Sequence, residues 1–239
     1  MSWLDHGIGR AVAAGLWCGL LAFVWLAAPP EAPGTAELVV RLLLFQLAGI
    51  EPWIVVAWNL VGVTWLGLAA VLVAETGREG NGRLAWLAIA ASLGIGAFAL
   101  LPYLVLRRSV PRPREGWPMR EAKRGWIVLG VVGGGLACLV YGVGYGDPTA
   151  LAEAWRSQAF VAVMSLDLLA LWLVTPLVVD ADRRRWRPAG ARVAAVPEVP
   201  SGGGAAAAGG LSGWWSVVAV IPVVGLGAYL LRRLGSLPA

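Results

Sequence analysis

Between Val163 and Val179 the chain is almost unbroken apolar sequence, and Asp180-Ala181-Asp182-Arg183-Arg184-Arg185 closes it at once. With the residues from Ala159 onward, the run reaches the length of about 20 apolar residues that a helix needs to cross a bilayer. Asp167 stands inside it, where a charge costs at least about 2.5 kcal/mol. A segment of this kind has no place in a soluble domain and must satisfy its backbone as a helix.

The rest of the chain agrees. It is 59% hydrophobic and 14% charged, against roughly 25% charged residues in ordinary soluble domains. The expected fold is therefore all-α, a polytopic transmembrane helical bundle of about six crossings plus a short interfacial or re-entrant segment. The net charge of +5 does not imply a nucleic-acid partner. Its basic residues are nearly all arginines flanking apolar spans, the pattern of cytoplasmic loops. Cys18 and Cys138 fall inside such spans, with no disulfide framework and no metal-ligand spacing.

In chain order, residues 1–180 read as a five-helix membrane bundle, 181–211 as a flexible charged and then Gly/Ala/Pro-rich linker, and 212–233 as a C-terminal transmembrane helix. The first span is Ala11 to Ala28. A cleaved signal peptide is the competing reading, but Pro29 would follow the cut and block it. Ala36 to Gly49 is too short to cross and carries Arg41 and Gln46, so it is expected at the interface, re-entrant or inside the bundle. The second span begins near Pro52, and the third, Leu84 to Leu106, is expected as one crossing antiparallel to it. The fourth, Gly125 to Gly146, contains Gly133-Gly134-Gly135. Six alternating crossings put the basic loop Arg107 to Arg124 and the arginines after Asp182 in the cytoplasm, and both termini on the other side.

The polar intramembrane candidates are Asp167, Asn59, Ser165, Gln46 and Arg41. Asp167 is read either as a proton or ligand site or as an anchor that hydrogen-bonds a neighbouring helix through Asn59, Ser165 or a tryptophan N–H. Asn59 suits an interhelical clamp. Arg41 and Gln46 suit a polar entrance or an interfacial helix. Gly94, Gly96, Gly133, Gly134 and Gly135 are read as surfaces for close helix packing.

Of the fourteen tryptophans, nine lie near span ends and are expected in the headgroup belt. Deeper ones such as Trp58, Trp65 and Trp172 are placed to pack in the core or to contact a pigment, quinone or carotenoid. His6 is the only histidine and Lys123 the only lysine, which leaves no support for a haem, a retinal Schiff base or a metal site. There is no phosphate-binding glycine loop and no nucleophile elbow.

Trp58-Asn59-Leu60-Val61-Gly62, Leu100-Leu101-Pro102-Tyr103-Leu104-Val105-Leu106-Arg107 and Met164-Ser165-Leu166-Asp167 together resemble a poorly characterised family of polytopic membrane proteins of cyanobacteria and plastids. The family's first motif usually reads Phe-Asn-Leu-Met-Gly, from which this chain departs at Trp58 and Val61. The resemblance covers about Pro52 to Arg185 and implies a thylakoid or related membrane; a bacterial inner membrane is the other expected setting. The expected function is that of a non-enzymatic accessory subunit or assembly factor, with other membrane subunits as partners. A small proton-coupled transporter using Asp167 and Asn59, or a lipid- or isoprenoid-modifying enzyme, are the alternatives.

Overall fold

The computed structural model describes residues 7–76, 82–107, 121–186 and 225–230. Among them all regular structure is helical: α1 (Gly7–Leu26), α2 (Thr35–Leu43), α3 (Pro52–Thr76), α4 (Gly82–Ile95), α5 (Ala97–Leu106), α6 (Glu121–Tyr145), α7 (Pro148–Ser157) and α8 (Ala159–Trp186). Residues 225–230 form a further helical stretch. Four helices, α1, α3, α6 and α8, are long and apolar enough to cross a membrane. The helical bundle is thus present, but among the described residues the crossings number four rather than about six. Most of the expected linker and of the last span lies outside the described residues.

Contacts between elements fix the direction of each helix. Glu51 accepts hydrogen bonds from the backbone N–H groups of Ile54 and Asp147, each at 3.0 Å, joining the start of α3 to the start of α7. The Ala159 N–H donates to the Pro30 carbonyl, and the Phe23 and Trp155 rings lie 6.1 Å apart, so α1 finishes at this same end. Trp58 stacks near Phe160, and Trp172 Nε1 donates to Thr64 Oγ1 at 3.3 Å, so α3 and α8 run parallel. Trp65 Nε1 donates to the Ile89 carbonyl at 3.2 Å, placing α4 beside α3. With only residues 77–81 between them, α4 starts where α3 ends.

The helix α5 does not continue that crossing. Arg10, near the start of α1, donates to the Arg107 carbonyl at 2.8 Å, so α5 ends where α1 begins and where α8 and α3 end. Both ends of the α4–α5 pair therefore lie at one end of the bundle. The buried residues show the same division. Leu42 of α2, Ile54 and Val55 of α3, Ala154 of α7 and Val161 and Met164 of α8 form one cluster, which contains nothing from α4 or α5. Ala85 and Ile89 of α4 and Leu100 and Leu104 of α5 pack instead with Leu72 of α3 and Leu171 and Val178 of α8. The single crossing expected over Leu84 to Leu106 is corrected to a re-entrant pair, since its hydropathy is that of one span but its path reverses at Gly96. The start of α1, expected opposite the Arg107 to Arg124 loop, lies on the same end as Arg107.

Local chemistry explains the two short helices at the other end. α2 follows Gly34, held at φ 85°, and stops at Phe45, a non-glycine residue at φ 55°. Arg41 donates to the Ala48 carbonyl and closes this turn, so α2 stays at the end of the bundle and does not cross. α7 starts at Asp147, whose carboxylate accepts from the Thr149 hydroxyl at 2.7 Å and the Thr149 N–H at 2.8 Å. These bonds, the side-chain one foremost, hold the Asp147 pKa below the usual carboxylate range. A lowered folded-state pKa contributes stability above the unfolded value and loses it as pH falls through the folded one. The exchange protection of the Thr149, Ala150 and Leu151 amides, corrected for intrinsic rate, should thus fall on acidification through the folded value. Asp147→Ala should show the low protection already at neutral pH, and unchanged protection in both cases would rule out the cap.

Candidate functional site

Because α4 and α5 turn back, the half of the bundle beyond Gly96 is left without a helix. A cavity of about 840 Å³ occupies it. Gly94, Ile95 and Gly96 form its roof, α3 and α8 its walls from Trp58 to Leu66 and from Ala159 to Asp167, and α2 with Glu31 its outer end. Leu43, Phe45, Leu66, Leu93 and Ile95 on its border are exposed. In a chain of this hydropathy that opening meets hydrocarbon rather than water.

Its polar lining is sparse: Ser92 and Asp167 stand at the roof, Asn59 on the α3 wall, and Glu31 and Thr35 at the outer end. Gly96 adopts φ 53°, ψ −128°, a conformation that a residue with a Cβ does not tolerate. It breaks the helix and leaves the first N–H groups of α5 without carbonyl partners of their own. Asp167 supplies the acceptor: its Oδ1 takes the Ala97 N–H at 2.7 Å, and the Phe98 N–H also bonds the carboxylate. The positive end of α5 favours a negative group there. This contact also leaves no room above Gly96, where any Cβ would overlap the Asp167 carboxylate.

Ser92 lies one turn before Gly96 and also lines the cavity. It is 2% exposed, and its Oγ has no hydrogen-bond partner among the described residues. Asn59 lines the cavity too. Its Nδ2 donates at 2.8 Å to the Val55 carbonyl of its own helix. The carbonyl oxygen of its amide remains an acceptor.

Of the five polar candidates, then, Asp167 and Asn59 meet at one cavity. Asp167 is an interhelical anchor, but to the backbone of α5, not to Asn59, Ser165 or a tryptophan. Ser165 bonds the Val161 carbonyl of its own helix at 2.7 Å. Arg41 serves its own turn, and neither it nor Gln46 lines the cavity. Gly94 and Gly96 shape the roof and are not a packing stripe. Gly133 has open space where a Cβ would be, and Gly134 only an ordinary contact with Val63; Gly135 is buried in α6. The close approach in α6 is instead at Gly142 and Gly146, which receive the Trp53 indole: a Cβ on Gly142 would stand 2.9 Å from that ring. Their four-residue spacing was the available signal, masked by the denser glycine triplet. Ser92 was missed because a single serine in an apolar helix has no distinguishing pattern.

No group of three or more His, Cys, Asp or Glu residues able to hold a metal occurs among the described residues. Two short sequence segments converge on the cavity, through Trp58, Asn59, Val61 and Gly62 and through Met164 and Asp167. Comparison of the chain with protein-family models, with curated proteins and with solved structures gives no match.

Proposed function

We propose that this chain is a non-enzymatic integral membrane protein that holds a lipid-soluble molecule, acting as an accessory subunit or assembly factor of a membrane complex. The observation that carries the reading is the cavity beneath the α4–α5 turn, which has the size of small-molecule sites, an apolar border and a few polar groups in its lining. The charge distribution supports a cytoplasmic location for the end where α3, α5 and α8 finish. Among the described residues that end holds Arg10, Arg83, Arg107, Lys123, Arg124 and Arg183 to Arg185, against Arg41 and Arg156 at the other. The cavity then opens in the outer half of the bilayer, and the first helix starts in the cytoplasm. A thylakoid setting rests on the family resemblance alone.

The test uses Gly62, which borders the cavity and has nothing within 4 Å of the position a Cβ would take. Gly62→Leu fills the space while improving helix propensity. Purification in mild detergent followed by mass spectrometry of retained small molecules should find a lipid-soluble compound with the natural chain and lose it with Gly62→Leu. Equal retention, or none in either, contradicts the reading.

A second reading, a small proton-coupled carrier, is favoured by the meeting of Asp167 and Asn59 at one cavity. It requires Asp167 to release the α5 backbone during transport. Asp167→Asn would then abolish pH-dependent flux in vesicles, whereas a binding protein shows no such flux at all.

A further inference from the structure

We infer that the molecule held in this cavity carries a hydroxyl group, seated against Ser92 and Asp167, on an otherwise apolar body. The inference rests on the cavity being a ligand site and adds the chemistry of the headgroup. A buried hydroxyl without a partner costs stability, so the unpartnered Ser92 Oγ calls for a group that the protein itself does not supply. Ser92 comes one turn before Gly96, whose backbone N–H bonds the Ser92 carbonyl at 2.9 Å, and Asp167 lies directly over Gly96. Ser92 and Asp167 thus each neighbour Gly96 at the roof of the cavity, with the amide oxygen of Asn59 as a further acceptor on its wall.

The donor and acceptor inventory narrows the headgroup. A ketone or ester oxygen accepts from Ser92 but brings its lone pairs toward the Asp167 carboxylate and gives it nothing. An ammonium satisfies the carboxylate yet offers no lone pair to Ser92. A hydroxyl does both, accepting from Ser92 Oγ–H and donating to Asp167 or Asn59. The apolar border formed by Leu66, Leu93 and Ile95 admits the rest of such a molecule from the side.

Phytanol and phytane, which share a branched chain and differ only in the hydroxyl, make the comparison. Full-length protein in mild detergent, titrated with each and read by native mass spectrometry, gives an alcohol-to-hydrocarbon preference. In Ser92→Ala that preference should fall roughly five- to tenfold relative to the natural chain, the value of one hydrogen bond. Folding is not at issue, because removing the orphaned hydroxyl should leave the melting temperature of the empty protein unchanged or raised. An unaltered preference in Ser92→Ala, or equal binding of both compounds to the natural chain, overturns the hydroxyl while leaving the cavity a ligand site. Binding of neither compound overturns both.

Discussion

Gly96→Ala should yield little or no folded protein, and what is recovered should have lost the cavity roof. At φ 53°, ψ −128°, a residue with a Cβ carries strain of roughly 1–3 kcal/mol. The larger effect is steric, because the new methyl group would occupy the space of the Asp167 carboxylate. Relief requires Asp167 to move, which frees the N–H groups of α5, or α4 and α5 to straighten, which moves α5 away from α1 and α8. Either outcome removes contacts from the larger buried cluster, where Leu100, Leu101 and Leu104 are fully buried. Detergent-resistant folded yield and thermal unfolding measure the effect. Gly94→Ala, two residues earlier with open space around its Cβ, should be tolerated. Equal behaviour of the two variants would contradict the role given to Gly96.

Asp167→Ala comes next in size. It leaves the Ala97 and Phe98 N–H groups without acceptors, at about 1–3 kcal/mol each, so a loss of about 2–6 kcal/mol is expected in reversible unfolding. Asp167→Asn keeps one acceptor oxygen and should lose only about 1 kcal/mol, since a charge-assisted bond becomes a neutral one. That ordering separates an anchor from a proton site. If the carboxylate served only proton transfer, Asn and Ala would differ little in stability.

Much of the bundle was legible from hydropathy, because a helix crossing a bilayer needs a long apolar run whatever surrounds it. The spans at α1, α3, α6 and α8 follow from that requirement, as does the failure of the short run at α2 to cross. Hydropathy carries no information about direction, however. A continuous span and a pair of half-length helices that reverse at Gly96 have the same apolar length, and one glycine among 32 does not announce a reversal. What distinguishes Gly96 is a carboxylate from far along the chain that reaches over it, and only the fold brings the two together. Asp167 was legible as a buried anchor because a charge in hydrocarbon needs a partner. The partner itself was not, since a freed backbone N–H has no residue type. The Gly142–Gly146 groove escaped for a related reason: it depends on the Trp53 indole that faces it.

The reversal at Gly96 is the feature from which the cavity, the Asp167 cap and the hydroxyl site all follow, and its topology can be measured directly. Single cysteines at Arg83, in the first turn of α4, and at Arg112, after α5, placed in a chain with Cys18 and Cys138 replaced by alanine, can be labelled with a membrane-impermeant maleimide in sealed, oriented vesicles. A re-entrant pair predicts that both positions react from the same side of the membrane. Reaction from opposite sides would mean that residues 84–106 cross as one helix, and would contradict the account.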